Sequence, residues 1–85
     1  ANALADVLAD LAKTHQVIVV THLAQVAVRA DSHYVVQKQD GEDDQPVTCL
    51  SSVEGDARAF EIARMLSGGA SAASLAHARE LLGSA

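Results

Sequence analysis

The sequence predicts a small α/β fold, because helical and strand patterns alternate along its 85 residues. The strongest strand signal is the apolar, β-branched run at residues 17–20, which Thr21 and His22 follow directly. A run without polar alternation is typical of a strand covered on both faces, as in parallel sheets. Apolar residues at helical spacing precede this run and follow it. We therefore expect a short parallel-strand region flanked by helices.

Apolar spacing defines the elements around this strand. Residues 3–14 predict a helix with one apolar stripe at i, i+3, i+4, i+7 spacing, formed by Leu4, Val7, Leu8 and Leu11. Residues 23–30 repeat the helical spacing over a shorter segment, and residues 33–37 predict a second strand. Residues 47–50 predict an edge strand that pairs back as a hairpin across an acidic turn at residues 40–44.

Two further helices are expected in the last third of the chain. The first would present one apolar face, formed by Ala57, Phe60, Ala63 and Leu66. A Gly-Gly pair at residues 68–69 would end it. Its charged residues would form i, i+3 ion pairs on the exposed face, namely Arg58, Glu61 and Arg64. Ser71 would cap the second helix and Gly83 would end it. The apolar residues of that helix are Leu75, Ala78 and Leu82.

Composition argues against several classes of function. Eleven Asp and Glu against six Lys and Arg give a net charge of −5, and no basic run is present. Binding to a phosphate backbone needs clustered Lys and Arg, so we do not expect this segment to bind nucleic acid directly. Cys49 is the single cysteine and has no internal disulfide partner. No apolar stretch approaches the roughly 18 residues of a membrane span, and the chain is expected to be cytoplasmic.

The order of elements predicts that other polypeptide completes the sheet. A central parallel strand needs hydrogen-bonded neighbours, which arrive through crossovers of about a dozen or more residues. Here a helix precedes the apolar strand, but no strand precedes that helix. We therefore expect residues 1–85 to be part of a larger α/β domain, whose other strands lie outside this segment.

The exit of the strand places His22 where ligands bind in α/β sheets, beyond the carboxyl ends of the strands. An imidazole donates a hydrogen bond in either protonation state, which suits a phosphate oxygen. From the residues alone, the alternative is that His22 caps the strand or the next helix. Thr21 would orient the imidazole or the backbone turn; alternatively, it is a buried residue that ends the strand.

Three segments of the chain resemble a known family. Residues 3–27, with Lys-Thr-His-Gln-Val-Ile-Val-Val-Thr-His-Leu at their centre, are similar to the C-terminal ATPase-head sequence of the RecN family of bacterial DNA repair proteins. Residues 61–66 and 76–82 resemble the closing helices of that family, in the same order. The chain departs from the family pattern at Ala24, where a proline is usual. Because proline favours the first turn of a helix, the departure concerns helix entry and not the imidazole.

The resemblance implies the C-terminal fragment of an ABC-type, SMC-like ATPase head. It implies that His22 is the switch histidine, which hydrogen-bonds the γ-phosphate of ATP and helps to hold the attacking water, with Thr21 beside it. ATP and Mg²⁺ would be bound by the longer protein that contains this segment, called here the parent protein, and not by the segment alone. Its partners would be the rest of its own head, a second head in a homodimer, and DNA contacted through other regions during double-strand break repair and recombination.

The motifs that complete such a nucleotide site are expected outside this segment. A P-loop, G-x-x-x-x-G-K-[ST], binds phosphates through backbone N–H groups and its lysine, and here no glycine is followed by lysine. The Mg²⁺-binding acidic residue that follows a hydrophobic strand is also missing. Residues 66–69, Leu-Ser-Gly-Gly, spell the start of the ABC signature, but they follow the histidine instead of preceding it. We expect a helix stop there, and a segment that does not hydrolyse ATP by itself.

Other candidate sites carry weaker signals. The four histidines lack the spacing and the cysteine pair of a zinc site, so no metal site is expected. Cys49 is expected to be a small buried hydrophobe. Residues 40–44 are expected to be a solvated turn, since they lack the spaced glycine and terminal glutamate of an EF-hand loop. Two alternatives stay open: the head of another SMC-like or Rad50-like ATPase, and a small non-enzymatic α/β binding module.

Overall fold

A computed structural model describes residues 2–84, which form helices and one antiparallel hairpin. The helices are α1 (Asn2–Leu11), α2 (Ala24–Ala27), α3 (Gly55–Ser67) and α4 (Ala72–Ser84). The strands are β1 (His33–Asp40) and β2 (Pro46–Val53), with one 3-10 turn (Glu42–Asp44) between them. The predicted mixture of helix and strand is therefore confirmed.

The core lies where α3 packs against α4 and α2. Its buried members are mostly small, which lets the helices approach closely; they are Ala24, Ala27, Val28, Ile62, Ala63 and Ala78. Half-buried apolar side chains from α3 and α4 surround them. Helix α2 has four residues, too few to be stable alone, so this packing holds it in place.

The predicted apolar face of α3 is confirmed at Ala63 and Leu66 and wrong at Ala57 and Phe60, which are exposed. Ile62 is fully buried, whereas Phe60 is 50% exposed. The buried face is Ala59, Ile62 and Ala63, an i, i+3, i+4 set that alternates a branched side chain with methyl groups. A phenyl ring on that face would hold the neighbouring helices apart, which explains why the larger apolar residue points outward.

Both ends of the α3–α4 connection agree with the predicted caps. Gly68 has φ of 76° and donates its N–H to the carbonyl of Arg64 at 2.7 Å, which ends α3. At the start of α4, the N–H of Ser74 donates to Ser71 Oγ at 3.1 Å, and the N–H of Ser71 donates to Ser74 Oγ at 2.8 Å. The predicted stop at Gly83 is wrong, because α4 continues through it to Ser84. A single glycine costs a helix only about 1 kcal/mol, which is too little to end it.

The hairpin is confirmed and is longer than predicted. Its register runs from His33 opposite Val53 to Asp40 opposite Pro46. Inside the turn, the N–H of Gly41 donates to the carbonyl of Gln45 at 2.8 Å. Residues 37–40, the polar end of β1, show no alternation of apolar and polar residues that would predict a strand. The full length of β1 therefore follows from its backbone pairing with β2.

The N-terminal third differs most from the prediction. Helix α1 ends at Leu11, and its apolar stripe is largely exposed, while Ala5 is the buried residue. Residues 16–21 form no strand pairing, and Ile18 and Val20 are 84% and 96% exposed. Within residues 2–84 the predicted doubly covered strand is therefore neither paired nor buried, because the hairpin pairs only with itself.

Candidate functional site

His22 lies in a bend between the unpaired segment at residues 16–21 and helix α2, with its side chain exposed. Thr21 is half-buried, and its Oγ1 accepts the N–H of Leu23 at 3.0 Å. When a hydroxyl accepts the backbone N–H of the residue two positions later, the hydrogen bond closes a local turn. This turn restricts the backbone of the residue in between. The residue so restricted is His22.

The bend continues directly into the start of α2. The carbonyl of Leu23 accepts the N–H groups of Val26 and Ala27, each at 3.1 Å. Ala24 is the first helical residue and is buried against the core, although it lacks the proline typical of the resembled family. The position of His22 therefore follows from the packing of α2 on α3.

Arg58 was predicted on the exposed face of α3, and that prediction is wrong. Its side chain is half-buried and turns toward the end of α2, where Nη2 lies 2.7 Å from the carbonyl oxygen of Ala30. The rest of the predicted ion-pair set is confirmed, since Arg64 pairs with Glu61 three residues earlier. No local sequence signal marks Arg58, because its acceptors are backbone carbonyls 28 to 31 residues away.

His33 is a second group that the sequence did not single out. It lines a cleft of about 180 Å³ together with Arg58 and Asp31. Among the described residues, His33 Nδ1 and Arg58 Nε are buried polar atoms without a hydrogen-bond partner. Burial lowers the pKa of His33 below 6.5, and the charge of Arg58 lowers it further, while Glu61 opposes both. Burial and the charge of Arg58 both disfavour the protonated imidazole.

The remaining candidates have structural environments. Cys49 is half-buried rather than buried, with Sγ 3.5 Å from Oε1 of Gln39. Ser67, in the signature-like segment, donates its hydroxyl to the carbonyl of Ala63 at 3.2 Å, as part of the helix end. The acidic turn is mostly exposed. Within residues 2–84, no three His, Cys, Asp or Glu side chains cluster as metal ligands, and no helix has the length and apolar character to cross a membrane.

Comparison with known proteins gives consistent matches along the chain. The DNA repair protein RecN of Deinococcus radiodurans is 57% identical over 82 residues, which cover 96% of this chain and 14% of that protein. RecN of Mycobacterium leprae is 54% identical over 81 residues, covering 92% of this chain and 13% of that protein. The chain belongs to the RecN family.

The match to RecN extends beyond these two species. RecN of Treponema pallidum is 45% identical over 83 residues, which cover 96% of this chain and 14% of that protein. No protein-family model matches the chain. The chain spans about one seventh of the length of its RecN relatives and corresponds to a C-terminal segment of them. The resemblance drawn from residues 3–27, 61–66 and 76–82 is therefore confirmed.

Proposed function

We propose that the parent protein is a cytoplasmic, ATP-hydrolysing, SMC-like protein of DNA double-strand break repair and recombination, and that this segment supplies its switch histidine, His22. Relatives from several bacteria carry the name DNA repair protein RecN, which supports the repair role. The observation that carries the proposal is an exposed apolar segment that leads into an exposed imidazole, beside a packed helical base.

The amount of exposed surface supports a segment that is completed by other polypeptide. The chain exposes 6218 Å², whereas a folded monomer of 8.8 kDa exposes about 4,800 Å². The excess, about 1,400 Å², is larger than the roughly 800 Å² that one partner buries in a standard interface. Residues 17–20 and the stripe of α1 supply much of its apolar part. We infer that further strands of an ABC-type head cover them.

Pairing of residues 17–20 in such a sheet would place His22 at the carboxyl end of a strand, where nucleotides bind in α/β folds. Catalysis of phosphoryl transfer consists mostly of positioning and of stabilising charge on the transferred oxygens. His22 would donate a hydrogen bond to a γ-phosphate oxygen, and Thr21 would hold the turn that aims the ring. ATP is the substrate in this proposal.

The other components of the site would come from outside residues 2–84. No cluster of three metal-ligating side chains exists among these residues, so we assign no Mg²⁺ ligand to them. The proposed partners are the rest of the same head, a second head in a homodimer, and DNA bound by other regions of the parent protein.

The test is His22→Ala in the purified parent protein. We expect kcat for ATP hydrolysis to fall about 100-fold or more, because a preorganised hydrogen bond to the transition state is lost. The measurement is phosphate release at saturating ATP and Mg²⁺. His77→Ala is the matched control, since it removes an exposed imidazole from α4 and should leave kcat unchanged.

Two results would contradict the proposal. Turnover by His22→Ala at the wild-type rate would reject the switch role of this residue. A wild-type parent protein that neither binds nor hydrolyses ATP would instead favour the non-enzymatic binding module.

A further inference from the structure

The side chain of Arg58 connects α3 to the end of α2. Its Nη2 atom lies 2.7 Å from the carbonyl oxygen of Ala30, 3.1 Å from that of Ala27 and 3.4 Å from that of Val28. Ala27 is the last residue of α2, Val28 is its cap, and Ala30 lies two residues further on. Because Nη2 carries two hydrogens, at least one of them is shared between two carbonyls. Arg58 therefore adds, from another element, hydrogen bonds to the end of α2, where the carbonyl of Ala27 also accepts the N–H of Ala30 at 3.2 Å.

This contact matters because α2 has little stability of its own. Four residues cannot sustain a helix without tertiary support. The apolar support is the burial of Ala24 and Ala27 in the same core cluster as Ile62. The polar support comes from the guanidinium of Arg58, whose hydrogen bonds to carbonyls are stronger than bonds between neutral groups. A second polar contact, from Arg29 just after α2 to Asp6 of α1, has a distance of 2.6 Å.

A continuous path of hydrogen bonds leads from this guanidinium to the bend at His22. Ala27, whose carbonyl accepts from Arg58, donates its own N–H to the carbonyl of Leu23 at 3.1 Å. Leu23 in turn donates its N–H to Thr21 Oγ1 at 3.0 Å. The bond to Thr21 spans His22, so a shift of α2 would move the imidazole with it.

We infer that Arg58 is a positioning residue that, through α2, fixes the backbone bend on which His22 lies. The inference rests on the proposed function, in that His22 is the group whose placement affects turnover. Arg58 is far from its acceptors in the sequence, so its hydrogen bonds join two elements. Its side chain is half-buried, which restricts its motion. A small misplacement of a catalytic group lowers the rate without removing the substrate-binding site.

The experiment compares Arg58→Met and Arg58→Lys in the full-length parent protein. Arg58→Met keeps an apolar stem and removes all donors, and we expect about 10-fold to 100-fold lower kcat with little change in KM for ATP. Arg58→Lys should recover part of the loss, because an ammonium group can reach one carbonyl but cannot match the planar guanidinium. Arg79→Met on α4 is the control, since it removes only a pair with Asp56 in which both side chains are exposed.

A double variant separates positioning from general damage to the fold. If Arg58 acts through His22, Arg58→Met in a His22→Ala background should cause no further loss of kcat. The same additional loss in both backgrounds would overturn the inference. Full turnover by Arg58→Met, with reduced turnover by His22→Ala, would reject this inference alone. Full turnover by His22→Ala would reject the proposed function instead.

Discussion

His33 is the first residue of β1, and its imidazole lines the same cleft as the guanidinium of Arg58. Burial, followed by the charge of Arg58, lowers the pKa of His33 below 6.5, and Glu61 opposes this effect. Because the folded state holds the proton less readily than the unfolded chain does, protonation favours unfolding. The contribution of His33 to stability is therefore complete above pH 6.5 and is lost as the pH falls through the pKa of the folded state.

The first prediction at the residue scale concerns this pair. Arg58→Met should raise the pKa of His33 toward 6.5, because one of the two causes of the shift is removed while burial remains. Hydrogen–deuterium exchange at the imidazole C2 position, followed by mass spectrometry across pH in the parent protein, measures this pKa.

The matched control for this titration is Arg79→Met, which should leave the pKa of His33 unchanged. Arg79 pairs with Asp56 at 3.5 Å and is not among the charges that act on His33. A titration of wild-type His33 at or above pH 6.5 would contradict the burial and the nearby charge described for it.

Residue-scale prediction succeeded where the partner is close in sequence and failed where it is distant. The cap of Ser71 on Ser74 and the pair of Glu61 with Arg64 each join residues three apart, so composition and spacing reveal them. Arg58 has the same local surroundings as Arg64, yet its acceptors lie on another element. No sequence pattern distinguishes these two arginines.

At the scale of elements, the end of α3 depends on a left-handed glycine. Gly68 has φ of 76°, and a Cβ added to Gly68 or to Gly69 would meet no atom within 4 Å. The two glycines therefore differ in backbone conformation and not in available space. Positive φ disfavours residues that carry a Cβ, by roughly 1–2 kcal/mol.

This difference predicts unequal effects of alanine at the two positions. Gly68→Ala should destabilise the end of α3 by about 1 kcal/mol, whereas Gly69→Ala should have a much smaller effect. Amide hydrogen exchange of the last turn of α3 in the parent protein should be about fivefold faster in Gly68→Ala, as expected for local opening. Equal exchange in the two variants would exclude a role for positive φ at this helix end.

Helix existence was easier to predict than helix orientation. The periodicity of residues 57–66 predicts α3 correctly, but Phe60 and Ile62 compete for the same core, and Ile62 occupies it. Close packing against Ala63 and Ala78 favours the smaller side chain, a condition that belongs to the neighbouring helices. Helix α1 shows the same limit, since its stripe is regular and yet largely exposed in this chain.

On the scale of the whole molecule, the chain is more open than its length predicts. Its radius of gyration is 14.3 Å, whereas a compact domain of 85 residues has about 12 Å. The exposed apolar segment at residues 17–20 contributes to this openness. Both facts fit a segment that buries more surface within a larger protein.

We predict that residues 17–20 are buried in the parent protein. Val20 is 96% exposed here, and Val20→Lys would place a charge inside the proposed sheet. We expect it to destabilise the parent protein by roughly 3–5 kcal/mol, the effect of an uncompensated buried charge. Thermal or denaturant unfolding of the domain measures the change.

Glu42→Lys provides the comparison, because this residue lies in the exposed acidic turn and also gains a positive charge. It should change stability by less than about 0.5 kcal/mol, as is usual at the surface. Similar, small effects of the two substitutions would show that residues 17–20 stay exposed in the parent protein and would remove the main support for a completed sheet.

The sequence by itself determined the mixed helix and strand content, the hairpin, the helix end at Gly68, the cap at Ser71 and membership of the RecN family. These features depend on residues close together in the chain, or on the order of motifs along it. Only the tertiary structure decided that Ile62 is buried, that Arg58 closes α2 and that residues 17–20 remain uncovered within this segment. Each of these depends on which elements pack together, and packing joins residues that no local pattern relates.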